Sequence, residues 1–252
     1  MKRITFTIFS LILFLILLAG YNSNPKVIIS RLIKNDGVQV GALKYRIYFF
    51  GIIPVGEAIF NAGRLEEFEG QKVYHLNATA RTLKYFSKFF NGEVALDSYV
   101  DIQEFNPMLF KQRLMIAGKD DINKEIIYNQ KEGFMSTAGI KRKIFPNTQD
   151  PLSVMFNLRH LDLTEAGEIE ININAYKKNY TLKGITKPND VVINSKTYKI
   201  FALKGWISRQ DKNLYHQSSV NAVLLNQKEN IPLLIKVFTG GVLIQARLVD
   251  TR

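Results

Sequence analysis

Few residues in this sequence have the type and spacing needed for catalysis. The histidines are His75, His160 and His216, and none belongs to a paired metal-binding pattern such as H-x-x-x-H or H-E-x-x-H. Ser153 does not lie in a Gly-x-Ser-x-Gly turn of the kind that exposes a hydrolase nucleophile. We therefore expect Ser153 to cap or pack a helix and the histidines to have structural roles.

Two carboxylates are the remaining catalytic candidates. Asp97 and Asp101 are four positions apart in a predicted strand, so they share a face and lie about 13 Å apart, at about 3.3 Å per residue. Glycosidases hold their paired carboxylates closer together, unless a neighbouring strand supplies the partner. The sequence therefore favours a protein that is not an enzyme, with a hydrolase of envelope polysaccharide as the third hypothesis.

Composition limits the cofactors and partners. The chain has no cysteine, which excludes disulfides, zinc–thiolate sites, iron–sulfur clusters and lipid attachment through a cysteine. We expect no metal site and no cofactor. The net charge is +12, with cations spread along the predicted strands. This charge indicates a solvated basic face or contact with an anionic membrane surface.

Aromatic residues give the sharpest binding hypothesis. They are dense at Tyr45–Phe50 and at Tyr85–Phe90. In a strongly curved sheet such residues line an apolar groove, and ligand cavities favour the mouths of barrels. We predict a short helix over Thr82–Phe90 that covers this groove or touches a membrane. The predicted ligand-binding residues are Phe49, Phe50, Tyr85, Phe86, Phe89 and Phe90 for apolar contact, with Lys84 and Lys88 for headgroups.

These residues need a β framework, which period-two alternation of apolar and polar residues predicts. Glu168–Asn174 and Leu43–Phe49 are clear cases, and Gly240-Gly241 between two such stretches predicts a tight terminal hairpin. The other predicted strands are Val55–Leu65, Val73–Ala80, Glu93–Val100, Met108–Ile116, Glu125–Asn129, Lys141–Phe145, Tyr180–Ile185, Tyr198–Lys204, Val220–Leu225, Leu233–Thr239 and Val242–Val249.

A second helix is predicted where Asp150 caps a segment that Pro151 begins and that runs to about His160. The predicted fold is mainly β: a single antiparallel, strongly curved sheet or half-open barrel with two short helices. One β domain is expected over residues 40–252. No βαβ rhythm or fixed repeat is present.

The N-terminus predicts export. Lys2 and Arg3 precede an uncharged run from Ile4 to Gly20, longer than a usual secretory core and shorter than a usual bilayer span. We expect residues 1–21 to be a signal peptide or an N-terminal membrane anchor. Residues 22–39 are then a leader segment or an edge strand. Export also argues against nucleic acid as a partner.

Two motifs carry a family resemblance: Gly51-Ile52-Ile53-Pro54-Val55-Gly56, and Asp150-Pro151-Leu152-Ser153 with its Leu158-Arg159 end. Over about residues 38–250 the chain resembles a bacterial exported-protein family catalogued as domain of unknown function 3108. Asn226–Pro232 departs from the Asp-x-x-Arg-x-Pro pattern usual there. The resemblance implies an envelope location in a double-membraned bacterium and a β-rich fold similar to lipoprotein-carrier half-barrels. It implies no established activity.

Together these observations predict a periplasmic protein, free or held by an inner-membrane anchor, that binds a lipid or other amphiphile without catalysis. The alternative is a protein-interaction or assembly module of the cell envelope that pairs with an envelope protein through exposed edge strands.

Overall fold

β-Strands dominate this computed structural model, which describes residues 24–34, 41–175, 178–209 and 218–251. The predicted signal or anchor segment 1–21 and His216 lie outside these residues. Within them, the helices are α1 (Pro25–Lys34) and α2 (Ser153–His160). The strands are β1 (Ala42–Phe49), β2 (Ile53–Phe68), β3 (Gln71–Thr82), β4 (Gly92–Asp101), β5 (Pro107–Ile116), β6 (Ile122–Asn129), β7 (Phe134–Thr137), β8 (Ile140–Lys143), β9 (Gly167–Ala175), β10 (Lys178–Ile193), β11 (Lys196–Arg209), β12 (Ser218–Leu225), β13 (Ile231–Thr239) and β14 (Val242–Thr251).

The strands form one antiparallel sheet. Its order is β8-β7-β6-β5-β4-β3-β2-β1-β14-β13-β12-β11-β10-β9, so β1 pairs with β14 and joins the two halves. β8 and β9 are the edges, and the ladder between them is not closed. The predicted fold class, a curved antiparallel sheet with two helices, is confirmed. The predicted hairpin at Gly240-Gly241 is also present, with both glycines at positive φ and Thr239 paired with Val242.

The connection between β8 and α2 lies along the β9 edge. The Gln149 amide N–H donates to the Asn172 carbonyl oxygen at 2.8 Å, and the Gln149 carbonyl accepts from the Asn174 N–H at 2.8 Å. The Asn172 side chain donates to the Pro146 carbonyl oxygen at 3.0 Å. These bonds cover part of the β9 edge and tie the two edges of the curved sheet together without a continuous ladder.

Helix α2 lies inside the curved sheet. The Phe156 ring packs 5.2 Å from the ring of Tyr74 on β3, whereas Leu158 clusters with Leu203 of β11 and Ala222 of β12. Only a segment in the concavity can contact strands from both halves of the sheet. The predicted cap is confirmed, because an Asp150 carboxylate oxygen accepts from the N–H groups of residues 152 and 153 at 2.7 and 2.9 Å.

Helix α1 corrects the prediction for residues 22–39. A leader or edge strand was expected, but Pro25–Lys34 is a helix, with Pro25 at its first position and the Asn24 side chain accepting from the Lys26 N–H. The helix contacts β10, β13 and β14. The side chains that it buries are Ile28, Ile29 and Leu32. Their spacing places them on one helical face, so α1 is part of the core.

The helix predicted over Thr82–Phe90 is wrong. β3 continues to Thr82, and residues 84–89 form turns. The Phe86 N–H donates to the Leu83 carbonyl and the Phe90 N–H to the Phe86 carbonyl, at 2.9 and 3.2 Å, without the unbroken bond series of an α-helix. The aromatic residues of this segment recur at a helical spacing because some of them face a cavity. A loop can direct side chains into a cavity as well as a helix can. Among the described residues, no helix has the length and apolar character needed to cross a bilayer.

Candidate ligand-binding groove

One end of the curved sheet is open, and we call it the mouth. It consists of the turns at residues 50–52, 117–121 and 240–241 and of the loop 83–91 that joins β3 to β4. These segments lie at the same end because successive antiparallel strands alternate in direction. Helix α1 shares a core cluster with Leu43 and Ile193, which lie towards the opposite ends of their strands. Helix α1 thus fills the interior beside Leu43 and Ile193, and a separate, more polar cavity of about 670 Å³ lies at the same end, among the residues where β3 and β5 begin and β4 and β6 end.

A cavity of about 450 Å³ opens at the mouth. Ile47 and Phe49 of β1, Phe86 of the 83–91 loop, Val94 of β4 and Leu114 of β5 form much of its lining. These strand residues occupy the face that turns into the core elsewhere, as Tyr45 does on β1. The lining is mainly apolar, and the volume is within the range of small-molecule sites.

A second cavity, of about 320 Å³, continues along the same face. It shares Val94 with the mouth cavity, and Phe110 and Ile126 add to its apolar lining. Gln112 and Lys124 also line it, and they are directly opposite each other on β5 and β6. The two cavities together form an apolar groove, defined by these lining residues, with an amide and an ammonium group in its inner part.

The structure places the predicted site residues in two groups. Phe49, Phe86 and Phe90 line the mouth cavity. The other predicted residues belong to the mouth segments but do not line the cavity. All of them are exposed: Phe50, Tyr85, Phe89, Lys84 and Lys88. The Tyr85 hydroxyl donates to the Pro54 carbonyl, which fixes the 83–91 loop against the start of β2.

Sequence interpretation missed the inner part of the groove. Val94 lies on β4 and Lys124 on β6. The two residues come to line one groove only because both strands pair with β5, and no local sequence pattern reveals that pairing. Lys124 could have been noticed in the sequence, because it lies on the same face of its strand as Ile122, Ile126 and Tyr128. A lysine in the apolar phase of a strand indicates a polar requirement on the inner face.

The candidate catalytic residues lie elsewhere. His75 Nε2 is 2.8 Å from Asp97 Oδ1, and His75 Nδ1 is 3.2 Å from Glu66 Oε2. The imidazole stacks on the Tyr99 ring at 4.4 Å. None of these residues lines either cavity of the groove. Asp101 Oδ1 instead caps a turn by accepting from the N–H groups of residues 103 and 104.

Asp150 and Ser153 form a buried capping pair. Ser153 Oγ accepts from the Asp150 N–H at 2.9 Å, and Ser98 Oγ donates to Asp150 Oδ2 at 2.5 Å. Burial raises the pKa of the Asp150 carboxyl above 3.8, and these hydrogen bonds oppose that rise. The predicted capping role of Ser153 is therefore confirmed, and the motif joins β4 to α2.

Arg159, at the end of the same motif, is a buried cation with an acidic partner. Its side chain is 0% exposed, and Nη2 is 2.6 Å from Glu229 Oε2. The guanidinium carbon is 5.8 Å from the centre of the Phe60 ring. Glu229 lies within the segment Asn226–Pro232, which departs from the Asp-x-x-Arg-x-Pro pattern, and it pairs with Arg159 of α2. At the end of α2, His160 Nδ1 is 2.8 Å from the Phe156 carbonyl, a structural contact.

Within the described residues, no group of His, Asp and Glu side chains is arranged to hold a metal ion. A family model described as "Protein of unknown function (DUF3108)" matches residues 44–241. No curated protein matches the chain. The chain is similar in fold to the crystal structure of a beta-barrel-like protein of domain of unknown function DUF1849 from Brucella abortus. That match has 10% sequence identity and a TM-score of 0.54, and it covers 85% of this chain and 98% of the other.

Proposed function

We propose, for a chain that belongs to the DUF3108 family of proteins of unknown function, a role in binding rather than catalysis. The groove holds the hydrocarbon chain of a lipid or other amphiphile inside the curved sheet. The protein performs this role in the periplasm. Residues 1–21 direct it there, either as a signal peptide or as an anchor in the inner membrane.

The observation that carries this proposal is the continuity of the two cavities. They share Val94, and both are lined mainly by apolar side chains of the inward face of the sheet. Elsewhere α1 and α2 occupy much of the interior, and the cavity of about 670 Å³ at the opposite end of the sheet has a more polar lining. Apolar clefts with few polar groups are typical of small-molecule sites, and burying apolar surface there supplies the affinity.

The other hypotheses have less support in the geometry. A hydrolase needs two carboxylates free to act on a substrate in a cleft, whereas Asp97 pairs with His75 outside the groove. Asp101 lines another cavity with Glu104, but its carboxylate caps the turn at residues 103 and 104. An assembly module would present a free strand edge. β8 is a short edge whose residues Lys141, Arg142 and Lys143 are exposed, and charges on a short edge oppose strand pairing.

A fluorescent fatty acid tests the proposal. In the full chain, Val94→Trp places an indole in the wall that the two cavities share. We expect binding of cis-parinaric acid, followed by its fluorescence, to weaken at least about tenfold because the bulk excludes the hydrocarbon chain. Ala80→Leu is a second variant, since Ala80 lines the mouth cavity and tolerates a smaller change.

Val192→Trp is the matched control. Val192 is 54% exposed and lies near the end of β10 that is remote from the mouth. The same substitution there should leave the affinity within about twofold of the parent chain. Equal affinities for the parent chain and both groove variants, with folding verified by circular dichroism, would refute binding in the groove.

A further inference from the structure

Exposed aromatic side chains are concentrated at the mouth. Phe50 follows β1 with a φ of 50°, a conformation that turns a non-glycine residue out of the strand path. Phe89, in the 83–91 loop, is 83% exposed. The exposed aromatic residues of the mouth are Phe49, Phe50, Tyr85, Phe89, Phe90 and Phe238. Among the described residues, the remaining exposed aromatics are Phe145 and Trp206, and Trp206 lies in the same register row as Phe238, two strands away on β11. A cluster of this kind marks an interaction surface.

The two loops that carry most of these rings form one surface. The Leu83 N–H donates to the Val55 carbonyl at 2.9 Å, and the Tyr85 hydroxyl donates to the Pro54 carbonyl. The Phe86 and Phe89 rings are 5.8 Å apart, so the exposed ring of Phe89 continues the lining of the cavity. The apolar lining of the groove and the apolar exterior of the mouth are therefore continuous.

The charge around these rings is mainly positive. Of the nearby carboxylates, Asp121 pairs with Arg113 at 2.7 Å, and Glu93 lies opposite Arg81 in the β3–β4 register. Asp120 is the remaining one in the mouth turns. The exposed lysines of the mouth segments are Lys84, Lys88 and Lys119.

We infer that the mouth is a membrane-docking surface that binds the headgroup region of an anionic bilayer. Aromatic rings insert at the headgroup level while lysines contact lipid phosphates, a combination that suits a bilayer surface better than a protein interface, in whose core lysine is depleted. Docking in this orientation aligns the groove with the bilayer, so a hydrocarbon chain passes between them without crossing water. The inference concerns the surface and stands whether or not the groove binds a lipid.

The absence of cysteine allows a site-specific test in the full chain. Asn91→Cys places an environment-sensitive dye in the mouth, and Gln71→Cys places it on an exposed position at the opposite end of the neighbouring strand β3. Each labelled protein is mixed with phosphatidylcholine vesicles that contain phosphatidylglycerol and a lipid-bound quencher. We expect quenching at position 91, little at position 71, and at least about a tenfold weaker response in high salt. Because the readout is local, attachment of the chain through residues 1–21 does not mimic it.

Substitutions of the surface itself complete the test. In the Asn91→Cys background, Phe89→Ser should weaken the response at least about tenfold, because a buried phenyl ring is lost. Leu65→Ser is the matched control, since Leu65 is 64% exposed at the opposite end of β2. Equal quenching at positions 91 and 71, an unchanged response in Phe89→Ser, or self-association through the mouth in light scattering would overturn the inference.

Discussion

Arg159 is a guanidinium group that the fold places entirely inside the protein. Its Nη2 atom lies 2.6 Å from Oε2 of Glu229, whose side chain is 29% exposed. A buried cation requires an opposite charge, because removing one partner leaves an uncompensated charge in a medium of low polarity. Arg159 and Glu229 also join α2 to the segment before β13, so their interaction holds the helix against the sheet.

Glu229→Gln should therefore lower the free energy of unfolding by about 2–4 kcal/mol, because it removes the carboxylate from a buried guanidinium. Urea denaturation followed by circular dichroism measures the change. The matched control is Glu170→Gln, which breaks the Lys183–Glu170 pair at 2.9 Å, where both side chains are more than half exposed. That change should cost less than about 1 kcal/mol. Similar costs at both sites would contradict the structural role of the buried pair.

Asp150 gives stability a predictable dependence on pH. Burial raises the pKa of its carboxyl in the folded protein above the usual 3.8, so the folded state binds the proton more tightly than the unfolded state. The contribution of this group is then fully present below pH 3.8 and is lost as the pH rises through the raised pKa. We expect the stability of the parent chain relative to Asp150→Asn to fall as the pH rises from 3.8 through the raised pKa of Asp150.

Urea denaturation of both proteins across this pH range measures the difference. The other titrating groups contribute to both proteins, so the comparison isolates Asp150. A difference that is constant, or that grows with pH, would show that the hydrogen bonds from Ser98 and the helix N–H groups outweigh the effect of burial.

Helix α1 is the element whose role differs most from the sequence interpretation. A leader segment can be altered without loss of stability, whereas a core helix cannot. Ile29 is 0% exposed, so Ile29→Ala should lower the free energy of unfolding by about 2–4 kcal/mol through lost burial and a cavity. Thermal or urea denaturation of the full chain measures this. Ile122→Ala, at a half-exposed strand position, should cost less than about 1 kcal/mol. Equal costs would mean that α1 does not pack as the structure shows.

The sequence correctly predicted the elements that depend on a local pattern of apolar and polar residues. Alternation predicted β1, β9 and the terminal hairpin because each strand has one face towards the core and one towards solvent. The same reasoning failed for residues 84–89, where aromatic residues at helical spacing belong to turns that place Phe86 in a cavity. It also failed for α1, because Val27–Ile33 is a single short apolar stretch within an otherwise polar segment.

The groove was only partly predictable for a different reason. Phe49, Phe86 and Phe90 were found because aromatic density is visible in the sequence. Val94, Gln112 and Lys124 were not found, because β4, β5 and β6 bring them together through pairing between distant segments. Strand register depends on these non-local contacts, and a shift of one residue would turn every one of these side chains to the other face.

At the scale of the whole molecule, the groove and the mouth imply a selective ligand class. We infer above that the mouth docks on an anionic surface, and Lys124 lines the apolar inner cavity opposite Gln112. An ammonium group in a partly desolvated site interacts more strongly with a carboxylate or phosphate than it does in water. The proposed ligand is therefore an amphiphile with a single anionic headgroup, which we expect the groove to bind more tightly than a neutral one, with its chain along the apolar wall towards the mouth.

Lys124→Met keeps the length and apolar stem of the side chain and removes its charge. We expect it to weaken binding of cis-parinaric acid at least about tenfold and to leave binding of its neutral methyl ester within about twofold, because only the acid loses a charge-assisted contact. Competition fluorescence measures both affinities. Lys111→Met is the matched control, since Lys111 lies on β5 but faces away from the groove and pairs with Glu125 at 3.5 Å. Equal losses for acid and ester would indicate a change of groove shape, and an unchanged affinity for the acid would place its headgroup elsewhere. Val94→Trp should weaken both ligands alike, so the three variants separate the site of the chain from the site of the charge.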